Sequence, residues 1–269
     1  MRLLWSASLG ITAACLAGTA MIAQEIRRPS ELEMAQALTG PMTLRLGRRQ
    51  SSPGCGLDCA EFIYAEGDIR RDAATALMVL SSRLKKPLPV YLHSPGGNLE
   101  GGMELGTALR RSEMATAVAR LRPLSCDQPG VCTDADRRAG ITVFADRPEP
   151  GICNSACVYT FAGGLSRHLP AGSSLGVHQF FVVRSDDKSR RPLTSYTRED
   201  FIHLQKTVAS VAAYLVDKGI SIEVLSLAAE VDSSTVRMLT AREARDLKLA
   251  TANATPFAPA NTYARLPEM

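Results

Sequence analysis

Three short stretches of this 269-residue chain carry residue types that do chemistry. The first is Ser94-Pro95-Gly96-Gly97. Adjacent glycines leave backbone N–H groups open to a ligand oxygen, although the same run also reads as a plain tight turn. The second is Cys153-Asn154-Ser155-Ala156-Cys157. A serine between small residues at a helix start can expose its hydroxyl as a nucleophile, and the helix dipole there favours an oxyanion. Taken alone, a serine at a helix start reads first as an ordinary helix cap. The third is His178 in Gly176-Val177-His178-Gln179-Phe180. A histidine there is a general base if a hydroxyl lies within reach, and otherwise a packed, hydrogen-bonded core residue.

Hydrophobic periodicity predicts the elements that must hold these stretches. Met42 to Leu46 and Ala60 to Ala65 alternate as strands on either side of a Gly, Ser and Pro-rich turn, an N-terminal hairpin. Arg71 to Lys85 reads as a helix stopped by Pro87, and Pro89 to Leu92 as a strand running into the first glycine turn. Leu99 to Arg111 is again helical. Met114 to Ala119 is a strand. Arg120 to Pro150, polar and proline-bearing, reads as an inserted loop. A helix from Ser155 to Phe161 ends at Gly163 and Gly164, and Ser174 to Phe181 is strand-like. Arg184 to Thr197 reads as a solvated arm, and Arg198 to Lys218 as an amphipathic helix closed by Gly219. Thr240 and Glu243 have capping-box spacing. Alternating strands and helices imply a mostly parallel sheet, whose ligand sites gather beyond the carboxyl ends of the strands.

Composition sets outer limits. A chain that is 45% hydrophobic and 22% charged folds around one good-sized core. A net charge of +4, from 31 basic and 27 acidic residues, argues against nucleic acid as a partner. Residues 1–23 read as a signal peptide: Arg2, then an apolar run, then small residues around Ala20 and Ala23. The expected location is therefore periplasmic or secreted, with an uncleaved membrane anchor as the alternative. Residues 24–58 form a lead-in and hairpin, 59–252 the main domain with its insertion at 120–150, and 253–269 a loose tail. Six cysteines remain after the signal: Cys55, Cys59, Cys126, Cys132, Cys153 and Cys157. In an exported chain these predict disulfides. Local pairs, or a link between the 126/132 and 153/157 groups, both fit among roughly 15 connectivities. No Cys-x-x-Cys spacing supports zinc, and no metal or cofactor is expected.

The three stretches, in this order, resemble the active-site motifs of the Clp-type serine peptidases. Ala65 to Arg111 is similar to that family's strand, helix, strand and Ser-Pro-Gly-Gly turn, down to Gly102-Met103. Asn154-Ser155-Ala156 resembles its nucleophile turn, and Leu169-Pro170 with Val177-His178-Gln179 resembles the approach to its catalytic histidine. Arg237 to Ala244 resembles its closing strand and helix, so the likeness spans about Ala60 to Ala250 without the insertion. It implies an α/β, crotonase-like (ClpP-like) ββα superhelix. It further implies Ser155 as nucleophile, His178 as base, Gly97 and Ala156 as oxyanion-hole donors, and Gly96 and Asn98 beside the substrate. Where the family carries its aspartate this chain has Val236. Asp232 stands close enough to substitute through a shifted loop, or it caps a turn. The implied activity is peptide-bond hydrolysis of peptides or unfolded chains, without an ATPase partner because export removes access to ATP, and with homo-oligomerisation possible. A binding or scaffolding module that has kept the fold is the alternative. An acyl-CoA enzyme fits export poorly, and a Ser-Lys signal-peptide peptidase lacks its lysine.

Overall fold

The computed structural model describes residues 40–180 and 197–251. The expected signal segment, the 184–196 part of the arm and the tail lie outside the described residues. Strand β1 (Thr43–Arg49) pairs antiparallel with β2 (Phe62–Glu66), the expected hairpin. A short 3-10 turn, Gly56–Cys59, lies between them, bracketed by the Cys55–Cys59 disulfide. Helix α1 (Ala73–Ser81), β3 (Val90–His93), α2 (Leu99–Arg111) and β4 (Thr116–Arg120) follow. Strands β2, β3 and β4 run parallel, as their helical crossovers require.

Residues 120–150 are more ordered than their polarity predicts. They contain α3 (Asp134–Ala139), β5 (Thr142–Phe144) and β6 (Glu149–Pro150), and a Cys126–Cys132 disulfide. The order has a physical cause. Phe144 joins Phe62, Tyr64 and Tyr91 in a buried aromatic cluster on one face of the sheet. The segment is further pinned by a buried ion pair, Arg48 Nη2 to Asp136 Oδ2 at 2.7 Å. Burial works to raise the Asp136 pKa, but hydrogen bonds from Arg48 and Thr133 outweigh it and hold the carboxyl at about 2.

The chain continues through β7 (Ile152–Asn154), α4 (Ala156–Ala162), β8 (Arg167–His168) and β9 (Ser174–Val177). It then forms α5 (Arg198–Asp217), α6 (Glu223–Ala229), β10 (Arg237–Leu239) and α7 (Ala241–Asp246). The main sheet has the order β5-β1-β2-β3-β4-β6, with β8 also on β4; a second sheet has the order β10-β9-β7. The result is a mixed α/β fold with a mostly parallel sheet. Its main core lies between the sheets and the helices, where Leu77, Leu92, Leu105, Leu109, Phe161 and Leu175 are buried. Helices α2 and α4 pack with almost no side chain between them: a Cβ at Gly102 would collide with the Ala156 carbonyl. Thr160 Oγ1 instead donates to the Gly102 carbonyl at 3.0 Å. No helix among the described residues is long and apolar enough to cross a membrane.

Candidate active site

The two sheets meet at the first glycine turn, and three hydrogen bonds hold the junction. Ser94 N donates to the Ile152 carbonyl (2.9 Å), Asn154 N to the Ser94 carbonyl (3.1 Å), and Ile152 N to His93 Nδ1 (3.1 Å). His93 therefore accepts as a neutral ring. Burial, with the Arg120 charge adding to it, pushes its pKa down to about 4. Sequence reasoning passes over His93 because its partner lies 59 residues away.

Beyond Ser94 the backbone enters a region that favours glycine, with φ of 121° at Gly96 and 129° at Gly97. Gly96 N donates to Ser94 Oγ at 3.1 Å, and Asn98 N to the Ile69 carbonyl at 2.8 Å. Gly97 N, between them, has no acceptor among the described residues, and Gly97 is exposed. Asn98 uses its side chain to cap α2, accepting from Gly101 N at 2.8 Å. Its backbone is fully used, since its carbonyl accepts from Gly102 N at 2.9 Å, so the side-chain Nδ2 is the group left to meet a ligand.

This turn touches the second stretch. A Cβ built on Gly96 would stand 2.7 Å from Ser155 Cβ and 3.3 Å from Ser155 Oγ. Ser155 occupies the N-cap position of α4, yet its hydroxyl makes no capping bond. Thr133, Thr197 and Thr240, at the starts of α3, α5 and α7, all do. Its backbone is unusual as well, at φ 54° and ψ −123°, a conformation that costs a non-glycine residue about 1–3 kcal/mol. Three bonds hold it there. Ser155 N donates to the Gly176 carbonyl (2.7 Å), Val158 N to the Ser155 carbonyl (3.0 Å), and the Cys153–Cys157 disulfide spans the turn. A covalent loop this short is worth about 2 kcal/mol, comparable with the strain. Ala156 N is the first N–H of the helix and has no carbonyl one turn below to take it.

His178 follows the neighbouring strand. Parallel pairing sets Asn154 opposite Gly176, so Ser155 and His178 each follow the carboxyl end of adjacent strands, where α/β sites form. His178 Nδ1 lies 2.7 Å from the Gln179 carbonyl. A carbonyl only accepts, so Nδ1 donates this bond, and in the neutral ring the lone pair then falls on Nε2. That carbonyl is itself fixed, because Gln179 N donates to Val231 O (2.9 Å) and Gln179 Nε2 to Ala229 O (2.6 Å). No sequence signal marks Gln179 for this role.

The site has no carboxylate at position 236. Extending the antiparallel register of Arg237 with Val177 by one step sets Val236 opposite His178, and its Cγ1 packs over Gly176. Asp232 lies one residue past Val231, in the loop tied to Gln179. Its Oδ1 accepts from Ser234 N (2.7 Å) and Ser234 Oγ (2.5 Å), the pattern of a turn cap.

No known protein-family profile matches the chain, and no curated protein matches it significantly. Among solved structures it is similar to a point mutant of ClpP1 from Listeria monocytogenes. The likeness is 14% in sequence with a TM-score of 0.42, covering 68% of this chain and 84% of the other. That is a distant and partial fold resemblance, so the functional reading rests on the residues themselves.

Proposed function

We propose that this chain is an exported serine hydrolase that cleaves peptide bonds with a Ser155–His178 pair. The observation that carries the reading is the meeting of the glycine turn with Ser155. Two segments far apart in sequence converge on a serine in a strained conformation whose hydroxyl does not cap its own helix. Such strain persists only where surrounding structure imposes it, and it clusters at functional turns.

In the proposed reaction Ser155 Oγ attacks the scissile carbonyl carbon while His178 Nε2 takes the hydroxyl proton. The oxyanion points to the N–H groups of Gly97 and Ala156, which the protein leaves undonated among the described residues. His178 returns the proton to the leaving amine. Water, deprotonated by the same nitrogen, then releases the acyl group. The Gln179 carbonyl holds the tautomer that makes Nε2 the base. Three disulfides suit an oxidising compartment, where no ATP-driven unfoldase operates. Peptides and already unfolded chains are thus the substrate class.

Val236, set opposite His178 where the resembling family has its acid, favours a second reading, a binding module that has kept the fold. Labelling of the oxidised protein with a fluorophosphonate separates the two. The hydrolase reading expects covalent labelling of wild type that is lost in Ser155→Ala and His178→Ala. Folded wild type that takes up no probe leaves the binding module.

A further inference from the structure

We infer that the Cys153–Cys157 disulfide is a positioning element for Ser155, so that the oxidation state of this one bond sets whether the serine is reactive. The inference rests on the reading of Ser155 as nucleophile. Cys153 is the middle residue of β7 and Cys157 lies in the first turn of α4, so the bond joins strand to helix directly across the serine. Both cysteines are fully buried. Besides the disulfide, two backbone hydrogen bonds hold the turn they bridge, Ser155 N to the Gly176 carbonyl and Val158 N to the Ser155 carbonyl, and no side chain caps it. Ser155 has a non-glycine backbone at positive φ and gives its helix no side-chain cap, whereas four other helices begin with one. A hydroxyl that is to attack cannot also cap. The restraint that capping would supply must come from elsewhere, and the disulfide supplies it without using a polar group of the site.

The consequence is directional. With the bond closed, Ser155 stays against Gly96 and Ala156 N stays at the start of the helix. With the bond open, φ of Ser155 can relax to an ordinary cap conformation, which turns the hydroxyl toward the helix N–H groups and away from a substrate. Opening requires a dithiol reductant. Two electrons and two protons pass to the cysteines, giving two thiols, and the dithiol leaves as its own disulfide. The other two bridges lie elsewhere: Cys55–Cys59 brackets the hairpin turn, and Cys126–Cys132 sits in the 120–150 segment. Neither touches the serine turn.

The test compares the full chain, purified oxidised, with the Cys153→Ala/Cys157→Ala double variant and a Cys126→Ala/Cys132→Ala control. It reads the rate constant of fluorophosphonate labelling well below the melting temperature, alongside circular dichroism. Small misplacements of a reacting group cost roughly tenfold to a hundredfold in rate. The expected result is a loss of that size in the 153/157 variant with unchanged secondary structure, while the control labels like wild type. Wild-type labelling in the 153/157 variant overturns the inference and makes the bond purely structural. If that variant does not fold, wild type is treated with a dithiol under native conditions and free thiols are alkylated at intervals. Labelling must fall in step with alkylation of Cys153 and Cys157, and labelling that survives it overturns the inference. Wild type that never labels overturns the hydrolase reading instead, and the inference with it.

Discussion

His93 offers the sharpest test of how the two sheets are joined. Its ring is buried, accepts from Ile152 N, and has a pKa pushed down from 6.5 to about 4. In the unfolded chain the same ring protonates near its ordinary pKa. Between pH 6.5 and 4 the unfolded state therefore binds a proton that the folded state refuses. Stability falls with falling pH across that window, at roughly 1.4 kcal/mol per pH unit. The full effect is about 3 kcal/mol by pH 4, a large share of the stability of an ordinary domain. Asparagine at 93 removes the titration and keeps a carbonyl oxygen as acceptor. Urea unfolding of oxidised wild type and His93→Asn at about pH 7, 6, 5 and 4 checks this. Burial lowers the His168 pKa too, but that residue is common to both proteins and cancels in the difference. Wild type is expected to lose about 3 kcal/mol relative to the variant between about pH 7 and pH 4. Parallel stability curves would refute the assignment of His93 as a neutral acceptor.

Two further outcomes test other parts of the structure. Asp136→Ala strands the buried Arg48 guanidinium and is expected to cost about 3–5 kcal/mol in urea unfolding; a loss below about 1 kcal/mol would mean that the pair does not anchor the 120–150 segment. Asp232→Asn is expected to slow fluorophosphonate labelling less than about tenfold, because the Gln179 carbonyl already fixes the His178 tautomer. A loss near the roughly 10⁴-fold seen when a full triad loses its acid would instead make Asp232 the third member.

Local signals make much of this structure legible. Helix α2 is readable from Asn98, a capping residue, and from the arginines that close it at Arg110 and Arg111. The hairpin follows from alternation on either side of a glycine- and proline-rich turn, and the close cysteine pairs form local bridges. Helix α6 escapes a sequence reading because its seven residues are too few to show a period and Ile222 offers no cap. Helix α3 is hidden although its signals are present, with Thr133 and Asp136 at capping-box spacing and Gly140 at left-handed φ. The polarity of the segment masks Phe144, whose burial orders it. The strand predicted to reach Phe181 stops at Val177, because the next residues turn away to bond Ala229 and Val231. Within the site, the glycine turn and the serine turn are each readable. Their contact and the His93 bond are not, since each joins residues whose proximity only the tertiary fold creates; the Gln179 carbonyl is next to His178 in sequence, but the anchors that aim it, Ala229 and Val231, are distant.

The Gln179 carbonyl also bounds the activity that the proposed site can have. An acid beside a catalytic histidine does three things: it selects the tautomer, aims the ring and stabilises the imidazolium formed during attack. A carbonyl on a residue held by two hydrogen bonds serves the first two. It does the third only through its dipole, because it carries no net charge to oppose the developing positive ring. From this carbonyl the proposed histidine therefore gains more organisation before attack than support during it. Such a site gains most from whatever holds the serine still, since geometry is the part of the barrier it can still lower. That places the demand on the serine turn, where Gly96, the Gly176 carbonyl and the Cys153–Cys157 bond converge on a single residue.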